Sequence, residues 1–375
     1  MKICILSEYA YSLFANEKCF GGSELQMTML AKEFVDRSYD VSLVTFGKSN
    51  NSSKIINGIK VYHPFYIRSK GYVYFYPQNL YKLFKILNKI DADIYIQRAT
   101  TPLTGLVACF AKLKKKIFIY SVSSNACVSN NLYIKRVNDF KKLIYKFGVK
   151  NSDCVICQTK DQKDLLKQTI GKDGVVIKNI YIPPKFESIK KNISKLKVLW
   201  VGRIINEKRP DLFLKLAKNF PDIDFCMIGC IGGVSTYDSK FYNDIQKNAS
   251  KINNFDFKGF VPNNEINKYY AESSLVINTS YVEGFPNTFL EAWGNYTPVI
   301  TLDFDPDEII CRYKLGLHSK TFEQLIKDTK TLLYNDNLRM EMGNNSREYV
   351  EKEHNLNKIL NEYEYLIKNL VAKDG

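Results

Sequence analysis

The stretch "KVLWVGRIINEKRPD" (197–211) begins with an apolar run, turns at a glycine and continues as a polar loop. The run predicts a buried β-strand over 197–202, and a helix is expected near 208–218. The same strand–loop–helix order recurs on both sides of this stretch. Strands that alternate with helices of this length are typical of a parallel sheet covered on both faces. The sequence is therefore predicted to have an α/β fold.

The pattern extends in both directions from residue 197. Downstream, strands are predicted over 223–229, 255–260, 274–280 and 297–302, and helices over 239–250, 263–271, 286–294 and 336–371. Upstream, strands are predicted over 2–7, 40–46, 92–98, 116–122, 153–158 and 174–178, and helices over 23–37, 78–89 and 104–113. Between the two arrays lies the polar, Lys-rich segment 183–196, which is predicted to be a linker. Two successive arrays indicate two Rossmann-like domains facing a cleft.

Length and composition agree with two soluble domains. The chain has 375 residues, of which 45% are hydrophobic and 25% charged, the balance of a globular protein. No run reaches the roughly 18 consecutive apolar residues of a membrane-spanning helix. The N-terminal run "KICILS" is short and lacks a small-residue cleavage site, so it is predicted to be a first strand rather than a signal peptide. We therefore expect a cytoplasmic protein.

Cysteine usage fits the same compartment. Cys4, Cys154, Cys157 and Cys226 lie in apolar strand-like runs, where free cysteine behaves as a small hydrophobe. The "CVIC" at 154–157 resembles half of a zinc or redox site. On a strand, however, residues i and i+3 point to opposite faces, so we expect buried core positions instead.

The net charge of +15 is distributed unevenly. Residues 1–190 carry 30 Lys and Arg against 14 Asp and Glu, whereas residues 191–375 carry 24 against 25. The excess of +16 therefore belongs to the N-terminal half. It indicates either a Lys-rich solvated surface or a face toward an anionic partner, namely a membrane, a lipid-linked phosphate or nucleic acid.

The loops that follow the strands of the second half are the candidate ligand site, because ligands of such sheets bind at the carboxyl ends of the strands. After strand 197–202, Gly202 permits a tight exit, and Arg203 and Lys208 are expected to converge on one phosphate group. After strand 274–280 comes "EGFPNTFLEAW" (283–293), in which Pro286 suits the first position of a helix.

The free N–H groups of that first turn favour an anion. Glu283 and Glu291 flank the turn, and the two oxygens of each carboxylate suit paired sugar hydroxyls. The stretch is therefore predicted to cradle a nucleotide diphosphate that carries a sugar.

"GRIINEK" followed by "EGFPNTFLEAW" resembles the retaining GT-B glycosyltransferases of family 4, the glycogen-synthase-like group. The two glutamates match its E-x7-E motif, and Arg203 with Lys208 match its basic pair. "FGGSELQMTMLAKEF" (20–34) is similar to the family's glycine-rich first loop, and the ending of the chain is similar to its last helices. The resemblance covers nearly the whole chain.

The resemblance implies an N-terminal Rossmann-like acceptor domain over 1–185, a nucleotide-sugar domain over 196–352 and a C-terminal helix over 353–375 that crosses back to the first domain. Arg203 and Lys208 would neutralise the departing diphosphate, as a metal does in other transferases. Glu283 would hold the donor sugar and Glu291 the ribose. The remaining donor contacts would come from Gly21, Gly22, Gly202, Gly229, Phe260, Val261, Gly284, Phe285, Pro286, Asn287 and Thr288.

The sequence departs from the family at one position. Many members carry a histidine at a strand exit of the first domain, whereas this chain has Ser124 and Asn125 there. The leaving phosphate can itself accept the proton in front-face retaining transfer, so the chemistry does not require that histidine. We expect Ser124 and Asn125 to contact the acceptor or the sugar. Arg98, at the end of strand 92–98, is expected either to make such a contact or to have a purely structural role.

These expectations describe a retaining, metal-independent hexosyltransferase for bacterial surface polysaccharide or glycolipid. It needs no cofactor beyond its nucleotide-sugar donor, and its acceptor is a glycan or another lipid-linked molecule. Four Asp-x-Asp motifs, "DAD" (91–93), "DID" (222–224), "DFD" (303–305) and "DPD" (305–307), are predicted to be strand starts or loop caps rather than metal ligands. The alternatives are a nucleotide-sugar epimerase of the same fold and a basic nucleic-acid-associated protein; no nucleic-acid motif accompanies the charge.

Two basic and aromatic stretches suggest where the N-terminal half would meet a membrane. "YPQNLYKLFKILNKI" (76–90) places Leu80, Leu83, Phe84 and Leu87 on one helical face beside lysines. "YIKRVNDFKKLIYKFGVK" (133–150) repeats the mixture with Tyr133, Phe140, Leu143, Ile144 and Phe147. The hypothesis is peripheral docking on the anionic inner face of the cytoplasmic membrane; the alternative is that these apolar faces belong to the core.

Overall fold

The computed structural model describes residues 1–10, 21–46, 53–67, 73–129, 139–185, 189, 195–231 and 236–374. These residues form two compact α/β units. The first comprises Met1–Ile180 and Asn357–Gly375, and the second comprises Tyr181–Leu356. In the described parts of both, no helix is long and apolar enough to cross a bilayer.

The first unit is built on an eight-stranded sheet with the order β3-β4-β2-β1-β5-β6-β7-β8. Its strands are β1 (Lys2–Leu6), β2 (Asp40–Val44), β3 (Lys54–Ile56), β4 (Ile59–Tyr62), β5 (Ile94–Arg98), β6 (Ile117–Ser121), β7 (Cys154–Cys157) and β8 (Val175–Val176). Its helices are α1 (Gly22–Asp36), α2 (Pro77–Ile90), α3 (Leu103–Lys114), α4 (Asn125–Val128), α5 (Asp139–Lys150), α6 (Lys160–Ile170) and, at the end of the chain, α14 (Leu356–Asp374).

The second unit has a six-stranded parallel sheet with the order β11-β10-β9-β12-β13-β14. Its strands are β9 (Lys197–Val201), β10 (Asp224–Ile228), β11 (Phe255–Gly259), β12 (Leu275–Asn278), β13 (Val299–Thr301) and β14 (Gly316–His318). Its helices are α7 (Pro210–Ala217), α8 (Thr236–Ala249), α9 (Asn263–Glu272), α10 (Asn287–Gly294), α11 (Ile309–Arg312), α12 (Phe322–Tyr334) and α13 (Asp336–Glu353).

Strand β9 shows why the second sheet is covered on both faces. Val198 and Trp200 belong to one apolar cluster, which also takes in α7 and α12. Leu199 belongs to the opposite cluster, which takes in α9, α10 and α13. The alternation follows from the two-residue repeat of a strand, and it confirms the predicted doubly covered sheet.

The C-terminal helix α14 packs on α1 of the first unit. The rings of Phe34 and Tyr363 meet edge to face with centroids 6.1 Å apart. Arg37 forms an ion pair with Glu364 at 3.0 Å and donates a hydrogen bond to Asn361 Oδ1 at 2.9 Å. These contacts place α14 in the first unit, in agreement with the expected crossing back of the last helix.

The cysteines of "CVIC" behave as core residues. Cys154 and Cys157 are buried in β7, and both thiols are free. Burial raises the pKa of the Cys154 thiol to about 11 and that of Cys157 to about 12, because low-dielectric surroundings disfavour the thiolate. Cys4 and Cys226 are likewise free and buried. The prediction of core positions for these four residues is confirmed.

Several elements differ from the prediction. The first sheet is not wholly parallel, because β3 pairs antiparallel with β4 at its edge; the turn there uses Asn57 and Gly58, both with positive φ, as a tight hairpin requires. The helical stretch 336–371 is two helices, α13 and α14, separated at residues 354–355. The sequence analysis did not foresee α6, α12 or β14. Most of the predicted linker 183–196 lies outside the described residues.

Candidate active site

The candidate site of the second unit lies where the sheet changes direction. The chain lays β10 and β11 on one side of β9 and then crosses over to place β12, β13 and β14 on the other side. The loops after β9 and β12 therefore diverge from neighbouring carboxyl ends and leave a crevice, the usual ligand position of an open parallel sheet. The basic pair follows β9 and the first glutamate follows β12.

Lys208 and Glu283 meet at this crevice. The Lys208 ammonium forms an ion pair with Glu283 Oε1, and the Lys and Glu side chains are 21% and 11% exposed. Residues 206–208 form a 3-10 turn, which brings the lysine back toward the sheet. The two motifs that the sequence placed 75 residues apart are thus in direct contact.

Thr279 ties the two loops together. Its hydroxyl accepts a hydrogen bond from Trp200 Nε1 at 3.0 Å and donates one to the carbonyl of Lys208 at 2.6 Å. Its own carbonyl accepts from Arg209 Nε at 2.7 Å. Since Thr279 is fully buried, these bonds are shielded from water and hold the backbone of Lys208 in place.

Arg203 lies in the same loop but has different surroundings. Its side chain is exposed, and among the described residues it has no hydrogen bond or ion pair. The loop is anchored beside it, because Gly202 N–H donates to the carbonyl of Ile228 at 3.0 Å and Ile204 N–H to that of Cys230 at 2.9 Å. The arginine is therefore a free cation on a fixed backbone. The predicted joint action of Arg203 and Lys208 on one phosphate stays a prediction.

Glu291 occupies the fifth position of α10 and points back toward α9. Its Oε2 accepts a hydrogen bond from the Tyr270 hydroxyl at 2.6 Å. Burial raises the pKa of the Glu291 carboxyl, and the hydrogen bond from Tyr270 opposes this by lowering it. Because the pKa is raised overall, ionising Glu291 in the folded protein costs free energy, and such shifts are common for functional carboxylates.

The start of α10 corrects one expectation. Pro286 is not the first helical residue but the N-cap, with extended backbone angles, and the helix begins at Asn287. The restricted φ of proline suits either position, and its carbonyl still receives the N–H of Phe289 at 3.1 Å. The side chain of Phe285 lies in the core, with its ring 4.9 Å from that of His354, so this residue offers only its backbone to a ligand.

The rest of the predicted donor loop lies next to the same crevice. Gly284 is buried, whereas Asn287 and Thr288 are partly exposed in the first turn of α10. After β11, Phe260 and Val261 are also partly exposed. The expected contacts of these residues with a sugar nucleotide stay predictions.

Gly229 has a packing role that the sequence did not reveal. A Cβ on Gly229 would overlap the carbonyl oxygen of Gly202 and come within 2.9 Å of Ile204. The exits of β9 and β10 thus approach each other only because residue 229 lacks a side chain. Gly202 likewise leaves room for the indole of Trp200, which a Cβ there would meet at 3.0 Å.

The predicted residues of the first unit follow the strands of its own sheet. Gly21 is the N-cap of the 15-residue helix α1, and Gly22 is its first residue. The φ of Gly21 is −94°, a value open to any residue, so its conformation does not require glycine. A Cβ there would meet only the flexible end of Glu24. The predicted role in close approach to the diphosphate remains untested.

Arg98, Ser124 and Asn125 are held by structural contacts. The buried Arg98 donates to Asn179 Oδ1 at 3.1 Å, and its Nε has no partner among the described residues. Ser124 caps α4 by accepting the N–H of Ala126 at 3.3 Å, and Asn125 accepts from Gln162 at 3.1 Å. Their expected contact with acceptor or sugar stays a prediction, and for Ser124 and Asn125 a packing role is visible.

The Asp-x-Asp motifs lie in different places. Asp91 ends α2 and pairs with Lys116 at 2.8 Å, and Asp93 accepts the backbone N–H of Lys2 at 2.8 Å; both lie at the amino ends of strands. Asp303 pairs with Arg209. Asp305 accepts the N–H groups of Ile310 at 2.9 Å and Cys311 at 3.2 Å, so it is a loop cap as predicted.

Two family models match the chain, and they meet at the border between the two units. "Glycosyl transferases group 1" matches residues 182–349, and "Glycosyltransferase Family 4" matches residues 20–181. Together they account for both α/β units, including the loops that carry Lys208, Glu283 and Glu291. The chain belongs to the family 4, group 1 glycosyltransferases. The resemblance to family 4 that the two motifs indicated is thereby confirmed.

The curated relatives match this glycosyltransferase over different shares of its length. An uncharacterized glycosyltransferase of Haemophilus influenzae is 22% identical over 92% of this chain and 96% of its own length. The alpha-galactosylglucosyldiacylglycerol synthase of Streptococcus pneumoniae is 32% identical, over 44% of this chain and 45% of its own.

Solved structures show the fold of the glycosyltransferase. Sucrose-phosphate synthase from Thermosynechococcus elongatus superposes with a TM-score of 0.82 at 15% identity and full coverage of both chains. HepE of Anabaena, in complex with UDP and glucose, superposes with a TM-score of 0.75 at 14% identity, covering 98% of this chain and 99% of its own. The predicted GT-B fold is confirmed by these similarities.

Three residues that hold the predicted site in place were missed from the sequence. Thr279 binds the backbone of Lys208, Tyr270 binds the Glu291 carboxylate, and Arg209 binds the carbonyl of Thr279. Thr279 follows a strand and so carried a weak signal. Tyr270 lies inside α9, and nothing in its local sequence distinguishes it from a core aromatic.

Proposed function

We propose that the protein is a retaining glycosyltransferase that transfers a sugar from a nucleotide diphosphate to a glycan or a lipid-linked acceptor in the assembly of a surface polysaccharide or glycolipid. The observation that carries the proposal is the contact of Lys208 with Glu283 at the change of direction of the second sheet. A cation for the diphosphate and a carboxylate for the sugar stand side by side there, and Glu291 lies one helix turn beyond Pro286.

In this proposal the donor diphosphate lies against the first turn of α10 and between the two cations. Lys208 and the exposed Arg203 neutralise the charge that grows on the leaving nucleotide, so a divalent metal is not required for that step. Glu283 accepts hydrogen bonds from the donor sugar, and Glu291 accepts those of the ribose hydroxyls. The loop is fixed by Thr279 before the donor arrives, which limits the reorganisation needed during reaction.

The bond changes are simple. The glycosidic carbon loses its bond to the β-phosphate oxygen and gains one to the acceptor hydroxyl oxygen on the same face of the ring. The acceptor's proton passes to the departing phosphate, and the nucleoside diphosphate leaves with the electron pair of the broken bond. The enzyme's side chains position the donor and neutralise the charge of the leaving nucleotide, and none of them needs to form a covalent bond.

The acceptor side of the proposal rests on relatives and on charge. The Streptococcus pneumoniae relative is named as a glycolipid synthase, and the relatives from Escherichia coli include one named for O-antigen biosynthesis. The first unit carries the basic excess of the chain. We therefore propose that this unit docks on an anionic membrane from the cytoplasmic side and collects a lipid-linked acceptor there.

Helix α5 is the surface that supports membrane docking. Phe140, Leu143 and Phe147 are 51%, 68% and 41% exposed, and they follow one face at intervals of three and four residues. Lysines 141, 142, 146 and 150 accompany them on the same helix. Such a mixture suits the boundary between lipid headgroups and acyl chains. Tyr133 of the predicted stretch lies outside the described residues.

The opposite side of α5 is its core face. Gly148 lies against the backbone of Thr104 in α3, where a Cβ would be 2.5 Å from the carbonyl carbon. Tyr145 and Val149 are buried. By contrast, the other predicted stretch, residues 76–90, packs in the core through α2, because Leu83 and Leu87 are fully buried. The membrane hypothesis thus rests on α5, and for α2 the alternative of a core face holds.

A single assay tests the transfer proposal. Purified enzyme is given nucleotide diphosphate sugars and an acceptor in excess EDTA, and the anomeric configuration of the product is read by NMR. We expect turnover to persist and the configuration of the donor to be kept. A product of inverted configuration would contradict the retaining mechanism. Activity that is lost with EDTA and regained with Mg²⁺ or Mn²⁺ would contradict metal independence.

A further inference from the structure

Three potential metal ligands converge beside the loop that joins β13 to β14. One donor atom each of Asp305, Cys311 and His318 lies within 4.8 Å of the other two. Asp305 directly precedes the 3-10 turn Pro306–Glu308, Cys311 is in α11, and His318 ends β14. Because β13 and β14 are parallel and Thr301 is opposite His318, the loop leaving β13 and the end of β14 share one edge of the sheet.

The backbone holds these side chains in position. The two oxygens of Asp305 accept the N–H groups of Ile310 and Cys311 at 2.9 and 3.2 Å. The Cys311 sulfur lies within 4.8 Å of an Asp305 carboxylate oxygen and of a His318 ring nitrogen. Each carboxylate oxygen keeps a further lone pair, and hydrogen bonds of this kind orient the ligands of natural metal sites.

The role of Asp305 as a helix cap does not account for the whole cluster. A cap needs only the carboxylate and the backbone N–H groups of α11, yet a thiol and an imidazole also converge on the same carboxylate. Asp307 and Glu308, with φ of 52° and 56°, both adopt the left-handed conformation that non-glycine residues avoid. Two successive residues in this conformation make the segment between Asp305 and α11 strained.

We propose that Asp305, Cys311 and His318 bind a zinc ion that clamps the β13–β14 loop. One sulfur, one imidazole nitrogen and one carboxylate oxygen are ligands typical of zinc, whereas Mg²⁺ and Mn²⁺ favour sites made of oxygen alone. Bond lengths of about 2.0 to 2.3 Å put tetrahedral ligands about 3.3 to 3.8 Å apart. Side-chain rotations that move the donor atoms by about 1 Å suffice to reach these distances from the present ones. Water takes the fourth position.

Metal binding exchanges a proton for the ion. A thiol must lose its proton to bind as a thiolate, and an imidazole binds through the lone pair of a neutral ring nitrogen. Zinc binding breaks the S–H bond, forms the Zn–S bond and releases that proton to solvent.

The experiment uses full-length protein that has been freed of metal with a chelator and dialysed. Zn²⁺ is added with thermal unfolding as one readout, and Co²⁺ is added with absorbance as the other, because a cobalt–thiolate bond gives an intense charge-transfer band. We expect a rise in the unfolding temperature with Zn²⁺, since metal binds the folded state, and a thiolate band with Co²⁺. Neither readout depends on glycosyl transfer.

Two variants and one control make the assignment. Cys311→Ser and His318→Gln keep the size of the side chain, and each should weaken metal affinity at least about 100-fold and abolish or shift the cobalt band. Cys109→Ser, at a partly exposed thiol of α3 in the other unit, should change nothing. Absence of the band in the wild-type protein, or a band and zinc affinity retained by Cys311→Ser, would overturn the proposal.

Discussion

At the scale of single residues, the ion pair between Lys208 and Glu283 decides how the site is charged before the donor arrives. The lysine already has a carboxylate partner, whereas the exposed Arg203 has none among the described residues. In the proposed donor complex, a diphosphate would attract Arg203 without competition and would share Lys208 with Glu283. The two cations are not equivalent, although the sequence motif presents them as a pair.

Replacing Arg203 or Lys208 by alanine should reduce transfer about 10²- to 10³-fold, because each change removes a preorganised charge from the leaving group. Arg203→Ala should leave the unfolding temperature unchanged. Lys208→Ala should lower it, because Glu283 keeps a mostly buried charge without its partner.

The double variant Lys208→Ala/Glu283→Gln separates the two effects of the lysine. It should regain stability but not activity, as measured by thermal unfolding and by initial rates. Near-native turnover of both single variants would refute the leaving-group assignment.

Glu291 should make donor binding sensitive to mild acid. Its pKa is raised by burial, so as pH falls the carboxylate is protonated at a higher pH than an ordinary glutamate. A protonated carboxyl is a poorer acceptor for the ribose hydroxyls. We therefore expect donor affinity to fall as pH drops through the raised pKa, and Glu291→Gln to bind donor weakly with no such acid limb.

The free energy of unfolding should respond to a fall in pH in the opposite sense from donor affinity. A carboxyl with a raised folded-state pKa costs stability above its unfolded pKa, and this cost disappears as the group is protonated. Glu291→Gln should therefore unfold at pH 7 no earlier than the wild type. The matched control is Glu265→Gln at an exposed position of α9, which should change neither quantity. A Glu291→Gln enzyme with wild-type donor affinity would exclude the ribose role.

At the scale of elements, the conformation of the loop after β9 depends on how closely the exits of β9 and β10 approach each other. Gly229, after β10, lies against the carbonyl of Gly202, and the loop that begins there carries both cations. Trp200 of β9 and Thr279 after β12 fix the other side of the loop. The geometry of the basic pair is thus a property of three neighbouring strands rather than of the motif alone.

Gly229→Ala should therefore lower transfer without unfolding the protein. Its Cβ forces the Gly202 backbone to move, and a shift of about 1 Å at positioned groups costs on the order of 10²-fold in rate. Steady-state kinetics and circular dichroism are the measurements.

Gly171→Ala is the control for that variant. Gly171 has φ of +73° and open space around its Cβ position, so its replacement adds backbone strain of about 1 kcal/mol but no clash near the site. Equal activity losses in the two variants would show that Gly229 acts through general stability.

At the scale of the whole molecule, the charge is divided between the halves of the chain. The basic excess lies within residues 1–190, and the exposed apolar face of α5 belongs to the same unit. Each Lys or Arg near an anionic leaflet contributes about 1 kcal/mol. A few of them, together with Phe140, Leu143 and Phe147, suffice for reversible attachment without a spanning helix.

Vesicle sedimentation should detect this attachment. We expect recovery with anionic but not neutral vesicles at low salt, and loss of recovery at high salt, because exposed charges are screened over about 10 Å at 0.1 M. Leu143→Glu/Phe147→Glu should abolish recovery. Leu113→Glu, at a 77% exposed position of α3, is the matched control and should bind normally. Equal recovery with neutral lipid, or binding unchanged in the α5 variant, would refute the membrane role.

Periodicity, glycine turns and two spaced motifs were enough to determine most of the fold from the sequence. Strands such as 197–202 and 223–229 are short apolar runs whose type depends on local composition, so their positions were correct to within one or two residues. The edge pair β3–β4 and the strand β14 were missed because polar residues and glycines interrupt their short apolar patterns, whereas the equally short β13 lies within the apolar run 297–302. The break between α13 and α14 was missed because helical periodicity continues across it.

The sequence by itself determined the fold class and the family, because these follow from local pattern and motif spacing, and it predicted Arg203, Lys208, Glu283 and Glu291 as site residues. Only the tertiary structure decided that Lys208 pairs with Glu283, that Tyr270 holds Glu291, and that α5 rather than α2 exposes its apolar face. It alone brought Asp305, Cys311 and His318 together. The physical reason is that contacts between distant residues depend on strand order and on the close approach of backbones, and neither is recorded in the local sequence.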